Sequence, residues 1–188
     1  VTAAADGPAA APPEESAPAG PVVVLVGPPG AGKSTVAREL AALLGVPARD
    51  TDDDVVAAAG MPVADVFVRH GEPRFRELER AAVATALATH RGVLALGGGA
   101  PLDPGTRGLL AGHRVAFLDV SLPAAARRIG LDAPRPLLVD APRAAWKRLM
   151  ADRRPVYEAV ADVVVDTSDA APGEVARRIA AELGLVAA

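Results

Sequence analysis

The sequence predicts an α/β fold built on a parallel sheet covered on both faces. Three observations lead there. Short, continuous apolar runs recur along the chain. Helical patterns of apolar residues separate them. A glycine-rich loop joins the first run to the first helical pattern. Strands that alternate with helices imply right-handed crossovers, and such crossovers lay helices over both faces of the sheet.

The elements follow in chain order. Val1 to Pro21 is rich in Ala and Pro and has neither helical nor strand period. It buries too little to offset its chain entropy and is expected to be a disordered tail over 1–21, with the folded domain spanning 22–186. The tail carries Asp6, Glu14 and Glu15 and no Arg, which disfavours a targeting peptide. Val22 to Val26 is a β-branched run of the kind buried on both faces. Gly27 to Gly32 is a loop. From Ser34, apolar residues at Val36, Ala37, Leu40, Ala41, Leu43 and Leu44 have helical spacing, and Gly45 supplies a stop. Val46 to Asp50 is expected to be a strand, weakened by Pro47 and Arg49. Val93 to Leu96, Val115 to Leu118 and Val163 to Val165 read as further strands, which makes five. Glu72 to Thr89, Ala141 to Glu158 and Glu174 to Leu183 read as helices. No internal repeat is visible.

Composition bounds the function. The 188 residues suffice for one domain with a real core, although 43 of the apolar residues are Ala. One Trp, one Tyr and three Phe leave few stacking platforms, and a net charge of −3 lacks the positive excess of a nucleic-acid binder. The absence of Cys excludes disulfides and thiolate chemistry. His70, His90 and His113 are scattered and are expected at the surface. No apolar run approaches the roughly 20 residues of a membrane span. The expectation is a cytoplasmic protein, monomeric, with neither nucleic acid nor membrane as partner.

Gly27-Pro28-Pro29-Gly30-Ala31-Gly32-Lys33-Ser34 fits G-x-x-x-x-G-K-[ST], the phosphate loop, with a strand before it and a helix after it. Its glycines let backbone N–H groups of Gly30, Ala31 and Gly32 converge on phosphate oxygens. The helix start adds its positive dipole end. Lys33 can reach the β- and γ-phosphates, and the Ser34 hydroxyl can ligate Mg²⁺. The chain holds 18 Arg and only two Lys, Lys33 and Lys147. Where charge alone is needed this sequence uses Arg, so a Lys in the loop marks a site that needs a compact ammonium. No N-K-x-D base-reading motif occurs. A single small domain with this loop near its start points to a kinase of small molecules, whose lid must close to keep water from the γ-phosphate.

Asp50-Thr51-Asp52-Asp53-Asp54 stands at the end of the second expected strand, where open α/β sheets bind ligands. A carboxylate there can hold the hydroxyl that attacks phosphorus. Asp53 and Asp54 are expected to cap the following helix, leaving Asp50 and Asp52 to act. Trp146 and Met150, spaced i,i+4, are expected in the core.

Beyond these motifs the chain carries D-x-F-x-x-x-G-E-x-x-F-R-x-x-E (Asp65 to Glu79), L-G-G-G-A (Leu96 to Ala100), R-P-L-L (Arg135 to Leu138) and R-x-P-x-Y (Arg153 to Tyr157). With the phosphate loop and Asp50-Thr51-Asp52, in this order, the chain resembles the shikimate kinase family over residues 22 to 185. The resemblance implies a P-loop NTPase fold of the nucleoside-monophosphate-kinase kind: five parallel strands, substrate-binding helices over about 53–80 and a mobile lid over about 130–142. It implies transfer of the γ-phosphate of ATP to the 3-hydroxyl of shikimate, with Mg²⁺. Arg76 and Arg153 match carboxylate-binding arginines, a role that suits the bidentate guanidinium. Asp52 matches the carboxylate that orients or deprotonates the acceptor hydroxyl. Gly97, Gly98 and Gly99 match the loop beside the substrate. Asp50 matches a residue near Mg²⁺, acting through water. Lys33 and Arg135 match the groups that neutralise the transferring phosphoryl, Arg135 from the lid. Gly30 to Thr35, Arg128 and Pro172 match the nucleotide side, with Thr35 ending the loop motif.

Bland alternatives stand beside these roles. Arg76 and Glu79 could be only a helical i,i+3 pair, and Arg153 a charge complementing a helix C-terminus. Glu79 is expected to orient Arg76, and Arg154 to have no role. Thr167 to Pro172 lacks the basic residue often found against adenine in this family, and Asp132 puts a negative charge in the lid.

Overall fold

The structure is a computed structural model, and it describes residues 20–130 and 142–185. The five strands are β1 (Val23–Val26), β2 (Ala48–Asp50), β3 (Val93–Ala95), β4 (Val115–Asp119) and β5 (Val163–Asp166). They form one sheet in the order β2-β3-β1-β4-β5, with every neighbouring pair parallel. β1, which feeds the phosphate loop, is central: Val24 lies opposite Leu94 on one side and Val115 on the other. All of β1 and β3 is buried, so helices cover both faces, as the unbroken apolar runs require. The connection from β1 runs to β2 on one side, and that from the adjacent β3 runs past β1 to β4 on the other, which opens a crevice at the carboxyl ends of the strands.

Among the described residues the α-helices are α1 (Lys33–Leu44), α2 (Thr51–Ala59), α3 (Val63–Thr89), α4 (Pro104–Leu110), α5 (Leu122–Ile129), α6 (Pro142–Val160) and α7 (Pro172–Glu182). α1 buries Val36, Ala37, Leu40, Ala41 and Leu44 and stops at Gly45, whose φ of 70° turns the chain. α3 is broken at Gly71 (φ 76°), just before Pro73, and its second half is the expected Glu72–Thr89 helix. A satellite core of Val55, Val66 and Phe75 binds α2 to α3, apart from the main core on the sheet. α4 and α5 were not foreseen. Each is about two turns long, too short for a strong period, and each starts on a cap: Asp103 accepts from the Thr106 N–H and Ser121 from that of Ala124.

Three expectations are corrected. The capping residue of α2 is Asp50, which accepts the Asp52 N–H at 2.9 Å, and not Asp53 or Asp54. Asp54 instead pairs with Arg49 at 2.8 Å. His90 is buried, its Nε2 3.2 Å from the Val93 carbonyl, because α3 ends against the start of β3. Arg154 has a partner: it reaches Asp119 at the end of β4 at 2.6 Å. Trp146 and Met150 lie in the main core, as their spacing requires. Among the described residues no helix is long and apolar enough to cross a membrane.

Candidate active site

The loop after β1 runs into α1 through Gly30 (φ 85°) and Gly32 (φ 86°), a backbone region that side-chain-bearing residues rarely adopt. Gly30 is doubly required, because a Cβ there would lie 3.1 Å from the Ala125 backbone. Lys33 folds back over this loop, donating to the carbonyls of Gly27 at 2.9 Å and Pro28 at 3.2 Å. Burial pulls its pKa down to about 8, Asp52 and Asp50 oppose that shift, and Arg153 adds to it. The Ser34 hydroxyl donates to Asp50 Oδ2 at 2.5 Å, while Oδ1 of the same carboxylate caps α2. Asp50 thus joins the start of α1 to that of α2.

A cavity of about 460 Å³ opens along this loop. Gly30 to Thr35, Asp50 and Asp52 line one end. Arg128, Ile129, Thr167, Ala170, Pro172 and Val175 line the other. Arg128 donates to the Gly30 carbonyl at 3.0 Å and to Thr167 Oγ1 at 3.1 Å, so it ties the phosphate loop to the loop after β5. The far end offers mainly apolar surface, in keeping with the missing basic residue.

The second part of the site surrounds Gly97 to Gly99, directly after β3. Each glycine makes room for a side chain that the sequence singled out. A Cβ at Gly97 would lie 2.6 Å from Asp52 Oδ1 and 2.9 Å from Glu79 Oε1. One at Gly98 would lie 3.3 Å from the Gly27 carbonyl and 3.7 Å from Arg153 Nη1, and one at Gly99 would collide with the Arg76 guanidinium. Arg76 and Arg153, on different helices, therefore converge on adjacent glycines. Arg153 donates to the Gly98 carbonyl at 3.2 Å.

Arg76 bonds Glu79 at 2.6 Å and Glu72 at 3.2 Å. Partial burial works against its charge, but these carboxylates outweigh it and hold its pKa above the usual arginine value. Glu79 is 3% exposed, and a carboxylate so buried needs its partner. Asp52 stands between the two parts of the site. Burial raises its pKa, Asp50 raises it further, Lys33 lowers it, and Glu79 and Asp53 raise it again.

The structure thus gathers Gly30, Ala31, Gly32, Lys33, Ser34, Thr35, Asp50, Asp52, Arg128 and Pro172 around one cavity. It places Gly97 against Asp52, Gly98 against Arg153 and Gly99 against Arg76. Arg135 and Asp132 lie outside the described residues. Sequence reasoning missed the Thr51 hydroxyl, which accepts the Gly97 N–H at 3.0 Å, and that of Tyr157, which donates to the Gly98 carbonyl at 2.6 Å. Both sit inside motifs already singled out. It also missed the link from Trp146, whose Nε1 donates to the Pro29 carbonyl at 3.3 Å.

Fold and loop together define a P-loop nucleotide-binding protein of the small-molecule-kinase kind. A sequence model of the family described as shikimate kinase matches residues 29–184. The shikimate kinase of Frankia casuarinae is 58% identical over 163 residues, 87% of this chain and 72% of that protein. That of Salinispora tropica is 57% identical over 163 residues, 87% of this chain and 98% of its own. The chain belongs to the shikimate kinase family. Among solved structures, shikimate kinase from Acinetobacter baumannii in complex with shikimate superposes with a TM-score of 0.79 at 32% identity, covering 89% of this chain and 94% of that one. A gluconokinase from Sinorhizobium meliloti, at 19% identity, a TM-score of 0.57 and coverage of 88% and 93%, shares the fold.

Proposed function

We propose that the chain transfers the γ-phosphate of ATP to the 3-hydroxyl of shikimate, releasing ADP and shikimate 3-phosphate. One observation carries this beyond family membership. Two guanidiniums, Arg76 and Arg153, converge on Gly99 and Gly98, next to the Gly97 that packs against Asp52, and Gly98 in turn lies against the phosphate loop at Gly27 and Pro29. A small acceptor with one carboxylate and several hydroxyls complements that set.

In this reading the nucleotide lies along the 460 Å³ cavity, its base against Ile129, Ala170, Pro172 and Val175 and its phosphates on the loop. Arg128 holds the nucleotide side of the cavity. Lys33, drawn over the loop by two carbonyls, exchanges them for the β- and γ-phosphates. Ser34 Oγ and Asp50 Oδ2 are two hard oxygen donors side by side, and they fit Mg²⁺. Asp50 is already engaged through both oxygens, Oδ1 as the α2 cap and Oδ2 with the Ser34 hydroxyl, so it would act through water. The ion supplies charge neutralisation on the transferring phosphoryl when bound. Arg76 and Arg153 fix the acceptor's carboxylate, with Glu79 holding Arg76 in place. Asp52 accepts from the attacking hydroxyl, and its raised pKa makes it a better proton acceptor than an ordinary carboxylate. Positioning and charge stabilisation are the main catalytic terms.

The test is ADP release in the presence of Mg²⁺ with shikimate, with gluconate or with no acceptor. Rapid release with shikimate alone is expected. A rate with gluconate equal to or above that with shikimate would move the chain to another acceptor. ATP binding without turnover on either would make it a binding module.

A further inference from the structure

The mechanism above leaves Tyr157, a buried polar group on the acceptor side, without a task. Tyr157 is fully buried on α6, yet its hydroxyl is aimed at the active-site loop, where it donates to the Gly98 carbonyl at 2.6 Å. Arg153, one helical turn earlier on the same face, donates to that same oxygen at 3.2 Å. One carbonyl thus collects two donors from one helix. On the other side of the loop, the Gly97 N–H is held by Thr51 Oγ1 at 3.0 Å. The Tyr157 ring rests on Phe117 of β4, with centroids 5.1 Å apart.

A glycine loop has no side chains to fix its peptide planes. Bonds to its carbonyls and N–H groups must do so, because the planar trans peptide ties the direction of each N–H to the carbonyl before it. Holding the Gly98 carbonyl toward α6 turns the Gly99 N–H the opposite way. It also gives Arg153 a fixed acceptor against which its remaining N–H groups are presented.

We propose that the Tyr157 hydroxyl is a positioning group for the acceptor: it sets the Gly98–Gly99 peptide plane and the Arg153 guanidinium, and thereby the affinity for the acceptor's carboxylate. It touches no substrate and acts through Gly98 and Arg153. This deepens the proposed function and rests on it.

The test is Tyr157→Phe, which deletes one oxygen and keeps the ring on Phe117. Phe117→Leu serves as a second variant that loosens the ring and keeps the hydroxyl. Steady-state kinetics with each substrate varied, together with thermal melts, give the readout. For Tyr157→Phe the expected result is a shikimate KM raised about five- to tenfold, the size of one lost hydrogen bond, with the ATP KM within about twofold of wild type. Phe117→Leu is expected to lower the melting temperature and leave the shikimate KM in place. A shikimate KM for Tyr157→Phe within about twofold of wild type overturns the proposal. So does an equal rise in both KM values, or a Phe117→Leu enzyme that reproduces the shikimate effect. Wild-type turnover of shikimate is measured alongside. Its absence would sink the proposed function, whereas an active wild type with an unaffected Tyr157→Phe sinks only the role of Tyr157.

Discussion

Lys33 sits close to the point of losing its proton. Burial, opposed only in part by Asp52 and Asp50, draws its pKa down to about 8. A nucleotide's anionic oxygens favour the ammonium, so binding raises that pKa and draws in a proton wherever the free protein is partly deprotonated, from about pH 8 upward. Calorimetric titration with ATP near pH 8.5, in buffers of different ionisation enthalpy, is expected to show net proton uptake. Uptake that persists undiminished in Lys33→Ala would assign the proton elsewhere. The shift at Asp52 runs upward, from burial and then from Asp50. The acid limb of kcat is therefore expected above the ordinary aspartate range, with activity lost as pH falls through it. Asp52→Asn is expected to lower kcat by about 10²–10⁴-fold with little change in the KM for ATP. A near-wild-type kcat would remove Asp52 from the proton path. Both residues were legible in the sequence because their motifs are contiguous. The bonds from Thr51 and Tyr157 were not, since each partner lies more than forty residues away along the chain.

The loop after β3 is where a backbone element and the site interlock. Its three glycines make room for Asp52 with Glu79, for Arg153 and for Arg76 in turn. Gly97→Ala places a methyl 2.6 Å from Asp52 Oδ1 and 2.9 Å from Glu79 Oε1, so both carboxylates must shift. The φ of Gly97 is not in the left-handed region, so the backbone itself tolerates the substitution. Asp52 does not return to its place, and a displacement near 1 Å costs about 10²-fold. Gly97→Ala is therefore expected to lose most of its kcat and, because buried Glu79 must give way, to melt below wild type; kcat retained would refute this. Strands were legible where the apolar run is continuous, β5 included, although only Val165 of it is fully buried. β1, β3 and β4 read clearly because both faces are covered, whereas β2 shrank to three residues after Pro47. α4 and α5 gave too few turns for a period. The break at Gly71 was legible only as the start of Glu72–Thr89, because the half-helix before it rests on the small core of Val55, Val66 and Phe75, a contact between segments and not a local pattern.

Across the whole molecule, α6 reaches the site at separate points. Arg153 and Tyr157 hold the Gly98 carbonyl, Arg154 grips Asp119 at the end of β4, and Trp146 meets the phosphate loop at the Pro29 carbonyl. None of these links follows from sequence spacing, because each joins α6 to a loop or strand end more than thirty residues distant.

The Trp146 link has a practical use. The chain holds a single indole, and it is hydrogen-bonded to the loop that receives the nucleotide's phosphates. Its ultraviolet emission is therefore a label-free optical signal for loading. Titrating ATP should shift or quench that fluorescence in a saturable way, while Lys33→Ala should need far more nucleotide for the same change.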